Sequence, residues 1–136
     1  MLKWPITYTN YNEVEVSEVH HFNLTKAEIM EMEMTTTGGY TDMIRKIIDA
    51  KDTPALVTIF KELVLKAYGE KSPDGKHFYK EDENGRPLCN KFKQTEAYSV
   101  LFMELATDAD KASKFVNGIM PSDMRQASES SAVPTN

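Results

Sequence analysis

The chain has 136 residues and a formal net charge of -5, and 40% of its residues are hydrophobic. The negative charge disfavours a nucleic-acid-binding protein, because such proteins usually present a basic face to the phosphates. A chain of this size can bury one core without disulfides or metals, and its one cysteine, Cys89, cannot form an internal disulfide. The N-terminal residues contain no long apolar run, so we expect no signal peptide or membrane anchor and a cytoplasmic protein.

The N-terminal residues predict a β-hairpin. Residues 6–9 and 14–22 are rich in β-branched and aromatic types, and the asparagines between them favour a turn. In this interpretation the strand register slips near Ser17. One face of the hairpin then carries three valines, Val14, Val16 and Val19.

A helix should follow, because residues 25–28 (Thr-Lys-Ala-Glu) have the spacing of a capping box. This motif predicts a helix that begins at Lys26. The next residues are ambiguous, since Met30, Met32 and Met34 alternate with glutamates at the period of a strand. Met30 and Met34 also fit the period of a helix, and the capping box favours the helix.

Two further helices are predicted before residue 70. The first covers residues 40–50, where the apolar residues form a one-sided stripe. Residues 52–54 (Asp-Thr-Pro) combine a capping residue with a proline at the first helical position, which is a strong start signal for the second. Apolar residues continue at helical spacing to Ala67, and Gly69 is expected to end this helix.

Residues 70–94 change character and predict a β-hairpin or an ordered loop inserted between helices. Turn signals occur at residues 72–75 (Ser-Pro-Asp-Gly) and at residues 84–85 (Asn-Gly). The short run of residues 77–79 (His-Phe-Tyr) lies between these turns.

Two helices complete the prediction. Thr95 is expected to cap the first, and residues 107–110 start the second, which Gly118 and Pro121 close. Residues 122–136 are polar and cannot bury much surface, so we expect a flexible tail.

These elements predict an α+β fold that is predominantly α, with an N-terminal β-hairpin, about four to five helices and a short β-hairpin or loop insertion. We expect one globular domain over residues 1–121. Its parts are the hairpin at 1–24, helices at 25–69, the insertion at 70–94 and helices at 95–121, with the tail at 122–136.

Each candidate catalytic or metal site has a better structural explanation. His20 and His21 are adjacent on a predicted strand and point to opposite faces, so they cannot share one metal. Residues 80–91 suggest a calcium loop, but lysines at both anchoring positions defeat the motif. Asp108 and Asp110 lie at a helix N-terminus, where carboxylates act as caps. We therefore expect no catalytic residue, no metal, no cofactor and no enzyme.

Methionine is unusually common, with eight residues in the chain. Its flexible, polarisable side chain is frequent on adaptable binding surfaces, although it also fills gaps in cores. Both explanations stay open for three methionines, Met30, Met32 and Met34. Core packing is favoured for two others, Met43 and Met103. Glu31 and Glu33 would keep an exposed methionine surface soluble.

Three stretches carry a family likeness: residues 26–34 (KAEIMEMEM), 67–80 (AYGEKSPDGKHFYK) and 92–121 (FKQTEAYSVLFMELATDADKASKFVNGIMP). They resemble a tail assembly chaperone of long, non-contractile-tailed (siphovirus-like) bacteriophages, over about residues 6–121. The resemblance implies a small, mostly helical protein that binds the hydrophobic tape measure protein, keeps it soluble and promotes assembly of the tail tube around it. It also implies a location in the host cell cytoplasm, absence from the mature virion and no catalytic residues.

The resemblance makes the tape measure protein the expected partner. The tail tube protein and self-association are further candidates, and neither nucleic acid nor a membrane is expected. The candidate protein-binding surface consists of Met30, Met32, Met34, Tyr98 and Phe102. Two alternatives stay open: a structural tail or connector component of the virion, and a small binding protein or enzyme with unrecognised chemistry.

Overall fold

A computed structural model describes residues 1–50 and 53–121. Its first strands, β1 (Leu2–Thr9) and β2 (Glu15–Phe22), form an antiparallel hairpin with an uninterrupted register. The predicted hairpin is therefore confirmed. The predicted slip of register is wrong, because Ser17 pairs in step with its neighbours.

The three valines of the hairpin do not share a face. Val14 precedes β2 and is 52% exposed. Val16 lies on the face that carries the buried Ile6. Val19 lies opposite Pro5 on the outer face. Because strand residues alternate between faces, positions three apart must lie on opposite sides, so the expected common valine face is wrong.

Asn10 holds the hairpin turn together. Its Oδ1 accepts hydrogen bonds from the amides of Asn12 at 2.9 Å and Val14 at 3.1 Å. Glu13 completes the turn with a φ of 64°. That conformation lies in the left-handed region, which glycine adopts at a lower cost than glutamate.

Three helices follow the hairpin: α1 (Lys26–Thr35), α2 (Tyr40–Ala50) and α3 (Thr53–Ala67). They confirm the helices predicted between residues 25 and 69. The start signal of α3 includes Asp52, which lies outside the described residues. The predicted tail over residues 122–136 also lies outside them.

Gly69 does not terminate α3, so its predicted role is wrong. The helix ends at Ala67, and Gly69 belongs to strand β3 (Tyr68–Lys71), where it pairs with His21. A Cβ at Gly69 would lie 2.5 Å from Cε2 of Phe78. Glycine is required here because an aromatic ring packs directly on the strand, which is a common reason for glycine within a sheet.

The predicted insertion forms a hairpin. Strand β4 (Phe78–Tyr79) pairs with β3 and completes a four-stranded sheet in the order β1-β2-β3-β4. Gly75 and Gly85 both have a φ of 77°, as their predicted turns require. A one-turn helix, α4 (Cys89–Phe92), was not predicted, since four residues are too few to show a helical period.

The last two helices are α5 (Glu96–Thr107) and α6 (Ala109–Ile119). Thr95 Oγ1 accepts a hydrogen bond from an amide in the first turn of α5, at 3.3 Å. Asp108 Oδ1 accepts hydrogen bonds from two backbone amides in the first turn of α6, each at 3.1 Å. These contacts confirm both predicted caps.

Gly118 lies within α6 and does not close it, which corrects the prediction. A Cβ at Gly118 would lie 2.6 Å from Cδ1 of Leu2. The glycine therefore lets α6 approach the start of β1, and the helix continues to Ile119.

The core lies between the helices and one face of the sheet. Its large side chains with almost no exposure come from the hairpin, the linker after it, α3 and the last two helices, namely Ile6, Phe22, Leu24, Val64, Leu101, Leu105, Phe115 and Ile119. The rings of Phe22 and Phe115 meet with centroids 5.1 Å apart. The predicted fold class, α+β and predominantly α, is confirmed. Within the described residues, no helix is both long and apolar enough to cross a membrane.

Candidate functional site

Helix α1 carries three of the candidate binding residues, and its first turn is held by the predicted capping box. Thr25 Oγ1 accepts a hydrogen bond from the Glu28 amide at 3.1 Å, and Glu28 Oε1 accepts one from the Thr25 amide at 2.9 Å. Two amides that a helix end leaves unpaired are thereby satisfied. The ambiguity between strand and helix is resolved in favour of the helix.

Lys80 fixes the same turn from a distant part of the chain. Its Nζ donates to Glu28 Oε2 at 2.8 Å and to the carbonyl oxygen of Lys66 at 2.6 Å. The residue after β4 thus joins the start of α1 to the end of α3. Burial raises the pKa of Glu28, but the hydrogen bonds from Lys80 and from the Thr25 amide outweigh it, so the pKa lies below its ordinary value.

Glu33 fixes the other end of α1. Its Oε1 accepts a hydrogen bond from the amide of Thr41 in the first turn of α2, and this bond lowers the pKa of the carboxyl group. Gly39 leaves room for the contact, since a Cβ there would lie 2.8 Å from Glu33 Oε2. Glu33 therefore caps α2, a role in addition to the expected one of keeping a methionine surface soluble. Glu31 is exposed.

The three methionines of α1 separate onto two sides of the helix. Met30 is 59% exposed and Met34 is 78% exposed, whereas Met32 is 8% exposed and belongs to the core. An α-helix turns by about 100° per residue, so residues two positions apart point in nearly opposite directions. The exposed Ala27, Met30 and Met34 form what we call the methionine stripe. Met32 is not part of that exposed surface.

A groove of about 300 Å³ lies between α1 and α3. Its lining combines apolar and charged side chains, namely Leu24, Glu28, Glu31, Met32, Thr35 and Lys66. On the core side of α1, a second, mainly apolar cavity measures only about 10 Å³, which is room for one water molecule. Helix α1 is thus closely packed against the core and offers a partner its outer side.

The other two candidate residues lie on α5. The rings of Tyr98 and Phe102 are stacked with centroids 5.9 Å apart, and Tyr98 also meets the ring of Phe92 at 5.8 Å. Both side chains are half-buried against the core. Burial raises the pKa of the Tyr98 hydroxyl. These rings contribute packing within the chain and leave only part of their surface for a partner.

The two methionines expected in the core differ. Met43 is partly buried and packs against the core. Met103 is 55% exposed, so the expectation for it is wrong. Helix α5 buries Leu101 and Leu105, and a residue two positions from Leu101 must point away from that side.

The two histidines lie on opposite faces of β2, as predicted. His20 is directly opposite Trp4, and its Nε2 lies 3.1 Å from Glu18 Oε1. His21 is directly opposite Lys3 on the outer face. In the part of the chain that the structure describes, no group of three or more His, Cys, Asp or Glu side chains could hold a metal ion.

Two acidic residues, Asp82 and Glu104, have structural roles. Asp82 Oδ1 accepts hydrogen bonds from the amides of Asn84 at 2.8 Å and Arg86 at 3.0 Å. Its carboxylate therefore stabilises a turn in the segment that suggested a calcium loop. Glu104 Oε1 accepts the indole Nε1–H of Trp4 at 3.2 Å, and its Oε2 accepts a hydrogen bond from Lys111 Nζ at 2.9 Å. Glu104 therefore links α5 to β1 and α6.

Sequence reasoning missed the roles of Lys80 and Glu33. Lys80 and Glu28 are 52 positions apart, so no local spacing could connect them. Glu33 lies eight positions before Thr41, which exceeds the three-residue spacing of a capping box. Both contacts depend on how helices and strands meet in three dimensions.

The fold and the site define an α+β protein whose helix α1 presents the apolar side chains of Met30 and Met34 to solvent. A family model described as "Phage tail assembly chaperone" matches residues 1–136. The chain therefore belongs to the phage tail assembly chaperone family, and membership implies interaction with other tail proteins. No match was found among curated proteins or solved structures.

Proposed function

We propose that this chaperone binds the tape measure protein of a siphovirus-like phage through the methionine stripe, keeps it soluble and promotes assembly of the tail tube around it. One observation carries the proposal: apolar side chains lie on two opposite sides of α1. Ile29 and Met32 are buried in the core, whereas Met30 and Met34 face solvent. A surface helix ordinarily has one apolar side, so the second side is explained by a partner.

The spacing of the stripe suits a helical partner. Met30 and Met34 are one turn apart on the same side of α1, which is the arrangement that a second helix contacts. Methionine side chains adapt to apolar groups of different shapes, as a long client with a varied surface requires. A tape measure protein, which the family resemblance describes as long and hydrophobic, fits such a surface.

The ends of α1 support the same interpretation. The Thr25 cap with Lys80 holds its start, and Glu33 ties its last turn to α2. A helix already held in place loses little conformational entropy when a partner binds, which favours affinity.

Co-purification tests the proposal. The chain and a tagged tape measure protein from the same phage are co-expressed, and Met30→Ser with Met34→Ser is expected to abolish their co-purification. Val14→Ser serves as the control, because Val14 is similarly exposed but precedes β2, outside both proposed contacts. Circular dichroism of the purified variants checks that helicity is retained. Unchanged co-purification of the double variant would remove the methionine stripe from consideration.

Tyr98 and Phe102 are proposed as a secondary contact on α5. Both rings also pack inside the chain. A variant that lacks them would lose stability as well as binding, so the two effects could not be separated. Hydrogen–deuterium exchange of the intact complex avoids that difficulty. We expect added protection in residues 96–107 as well as 26–35, and protection in 26–35 alone would limit the interface to α1.

The remaining parts of the proposal concern location and chemistry. The protein acts in the host cell cytoplasm without catalysis or cofactor, is absent from the mature virion, and also contacts the tail tube protein during assembly. Mass spectrometry of purified virions checks the expected absence from the virion. We expect no peptides of this chain. Recovery at a fixed copy number would instead favour a structural tail or connector component.

A further inference from the structure

The outer face of the sheet, turned away from the helices, gathers basic groups at one end. Lys3 lies directly opposite His21, which in turn lies opposite Gly69. Lys71 follows two positions after Gly69 and so points to the same face. Neighbouring side chains on one sheet face stand about 5 Å apart, and diagonal neighbours about 7–8 Å apart. We call Lys3, His21 and Lys71 the basic end of the outer face.

Apolar side chains lie between these basic groups. Val19 is 54% exposed and faces Pro5 across the strand pair. Phe78 lies opposite Lys71 and packs over Gly69. The outer-face positions at this end are 3, 5, 19, 21, 69, 71 and 78, and none of them is acidic.

Among the described residues, the helices pack on the other face of the sheet and leave this face uncovered. Ile6 and Phe22 on the helix side are 2% and 0% exposed, whereas Lys3 and Lys71 are exposed. The contrast with the whole chain is strong, since the chain carries a net charge of -5. Electrostatic complementarity across an interface favours a partner of opposite charge at such a patch.

The basic groups are close enough to influence one another. Burial lowers the pKa of His21, and the charges of Lys3 and Lys71 lower it further. Lys80 lies nearby, with its Nζ 5.7 Å from the Phe78 ring centre, but it is already paired with Glu28. Lys71 Nζ donates to the carbonyl oxygen of Ser72 at 3.0 Å. The hydrogen bond from the Ser72 hydroxyl lowers the pKa of the nearby Asp74, and the charge of Lys71 lowers it further. Lys3 and Lys71 are nevertheless exposed, so a partner can reach both ammonium groups.

We infer that the basic end of the outer sheet face docks an acidic segment of a partner protein. Carboxylates of that segment face Lys3 and Lys71, and an apolar side chain covers Val19 and Pro5. Nucleic acid fits less well, because it would need a longer run of cations and would gain nothing from the exposed apolar pair. This surface is separate from the methionine stripe, so it stands or falls independently of tape measure binding.

The test measures binding of a synthetic peptide of alternating glutamate and valine to the full chain at low ionic strength, by fluorescence anisotropy. We expect saturable binding that weakens as salt is added, and no binding of the matching lysine–valine peptide. Lys3→Glu combined with Lys71→Glu should weaken the affinity by about tenfold or more. The matched control is Lys61→Glu with Lys114→Glu, two exposed lysines on α3 and α6 whose reversal produces the same net charge.

Amide chemical shifts of the labelled chain locate the bound peptide, and the largest changes are expected at residues 3–5, 19–21 and 69–71. Equal weakening in both double variants would show that only the total charge matters and would overturn the inference. Failure of the peptide to saturate, or tighter binding of a short DNA duplex than of the peptide, would also overturn it.

Discussion

Lys80 Nζ lies 2.8 Å from Glu28 Oε2, so the residue that follows the last strand is bonded to the first turn of α1, 52 positions earlier. The same ammonium group donates to the carbonyl oxygen of Lys66 at the end of α3. The helix that presents the methionine stripe is therefore attached to the insertion hairpin by a charged contact, in addition to its packing on the core.

Replacement of Lys80 by methionine should destabilise the fold by about 1 kcal/mol. The charge-assisted hydrogen bond is lost, but its contribution is reduced because the two side chains are 26% and 34% exposed. Urea unfolding of the single variants Lys80→Met and Glu28→Gln, and of the double variant, measures the coupling between the two residues. Strict additivity of the two single effects would show that the contact contributes nothing.

The contribution of Glu28 should depend on pH. Its pKa in the folded chain lies below the ordinary value of 4.5, because the hydrogen bonds from Lys80 and the Thr25 amide outweigh the effect of burial. The stabilisation is therefore complete above pH 4.5 and is lost as pH falls through the lower folded value. We expect the stability difference between the parent chain and Glu28→Gln to shrink in acid. A difference that stays constant from neutral to acidic pH would contradict this assignment.

Gly69→Ala should destabilise the chain by about 2–3 kcal/mol, because the new Cβ would lie 2.5 Å from Phe78 Cε2 and 2.6 Å from the carbonyl oxygen of Tyr79. Gly75→Ala is the control. Gly75 has open space around it and a φ of 77°, so only the backbone penalty of about 1 kcal/mol is expected. Thermal unfolding of both variants tests the order, and an equal loss would argue against close packing at Gly69.

Glu13→Gly should stabilise the chain by roughly 0.5–1 kcal/mol, because glycine relieves the positive φ of 64° in the hairpin turn. Asn12→Gly serves as the control, since Asn12 is not among the residues with positive φ and has no such strain to relieve. Denaturant midpoints of the two variants should therefore move in opposite directions. A lower midpoint for Glu13→Gly would show that its side chain contributes more than its backbone costs.

Met32→Ser should destabilise the chain by about 2–4 kcal/mol, because it removes a buried side chain and places a hydroxyl group in the core. Met30→Ser should change stability by no more than about 0.5 kcal/mol, because Met30 is largely exposed. Calorimetry of the two variants separates these outcomes. Comparable losses would mean that Met30 is also part of the core, and the methionine stripe would then be withdrawn.

Much of the local structure follows from residues close together in the chain. The capping pair Thr25 and Glu28 predicted the start of α1, and Thr95 and Asp108 did so for α5 and α6. Caps and glycine turns act over three or four residues, so their geometry is readable without knowledge of the fold. The family likeness was also carried by the sequence, and the family model over residues 1–136 confirms it.

The roles of two glycines could not be predicted from their neighbours in the chain. Gly69 and Gly118 resemble helix terminators when only their neighbours along the chain are considered. In the structure, each instead lets a distant side chain approach, Phe78 in one case and Leu2 in the other. Steric demands of this kind arise only when elements pack, so no local pattern distinguishes the two roles.

The sequence by itself determined the α+β class, the first hairpin and the order of the longer helices, the caps of α1, α5 and α6, the glycine turns, and the chaperone family. Only the tertiary structure decided which methionines of α1 are available to a partner, because burial depends on which side of the helix meets the core. It also decided that Lys80 joins Glu28 and that Lys3, His21 and Lys71 share an exposed face. Charges far apart in the chain become neighbours only when strands pair and helices pack, and that arrangement creates the surfaces proposed for binding.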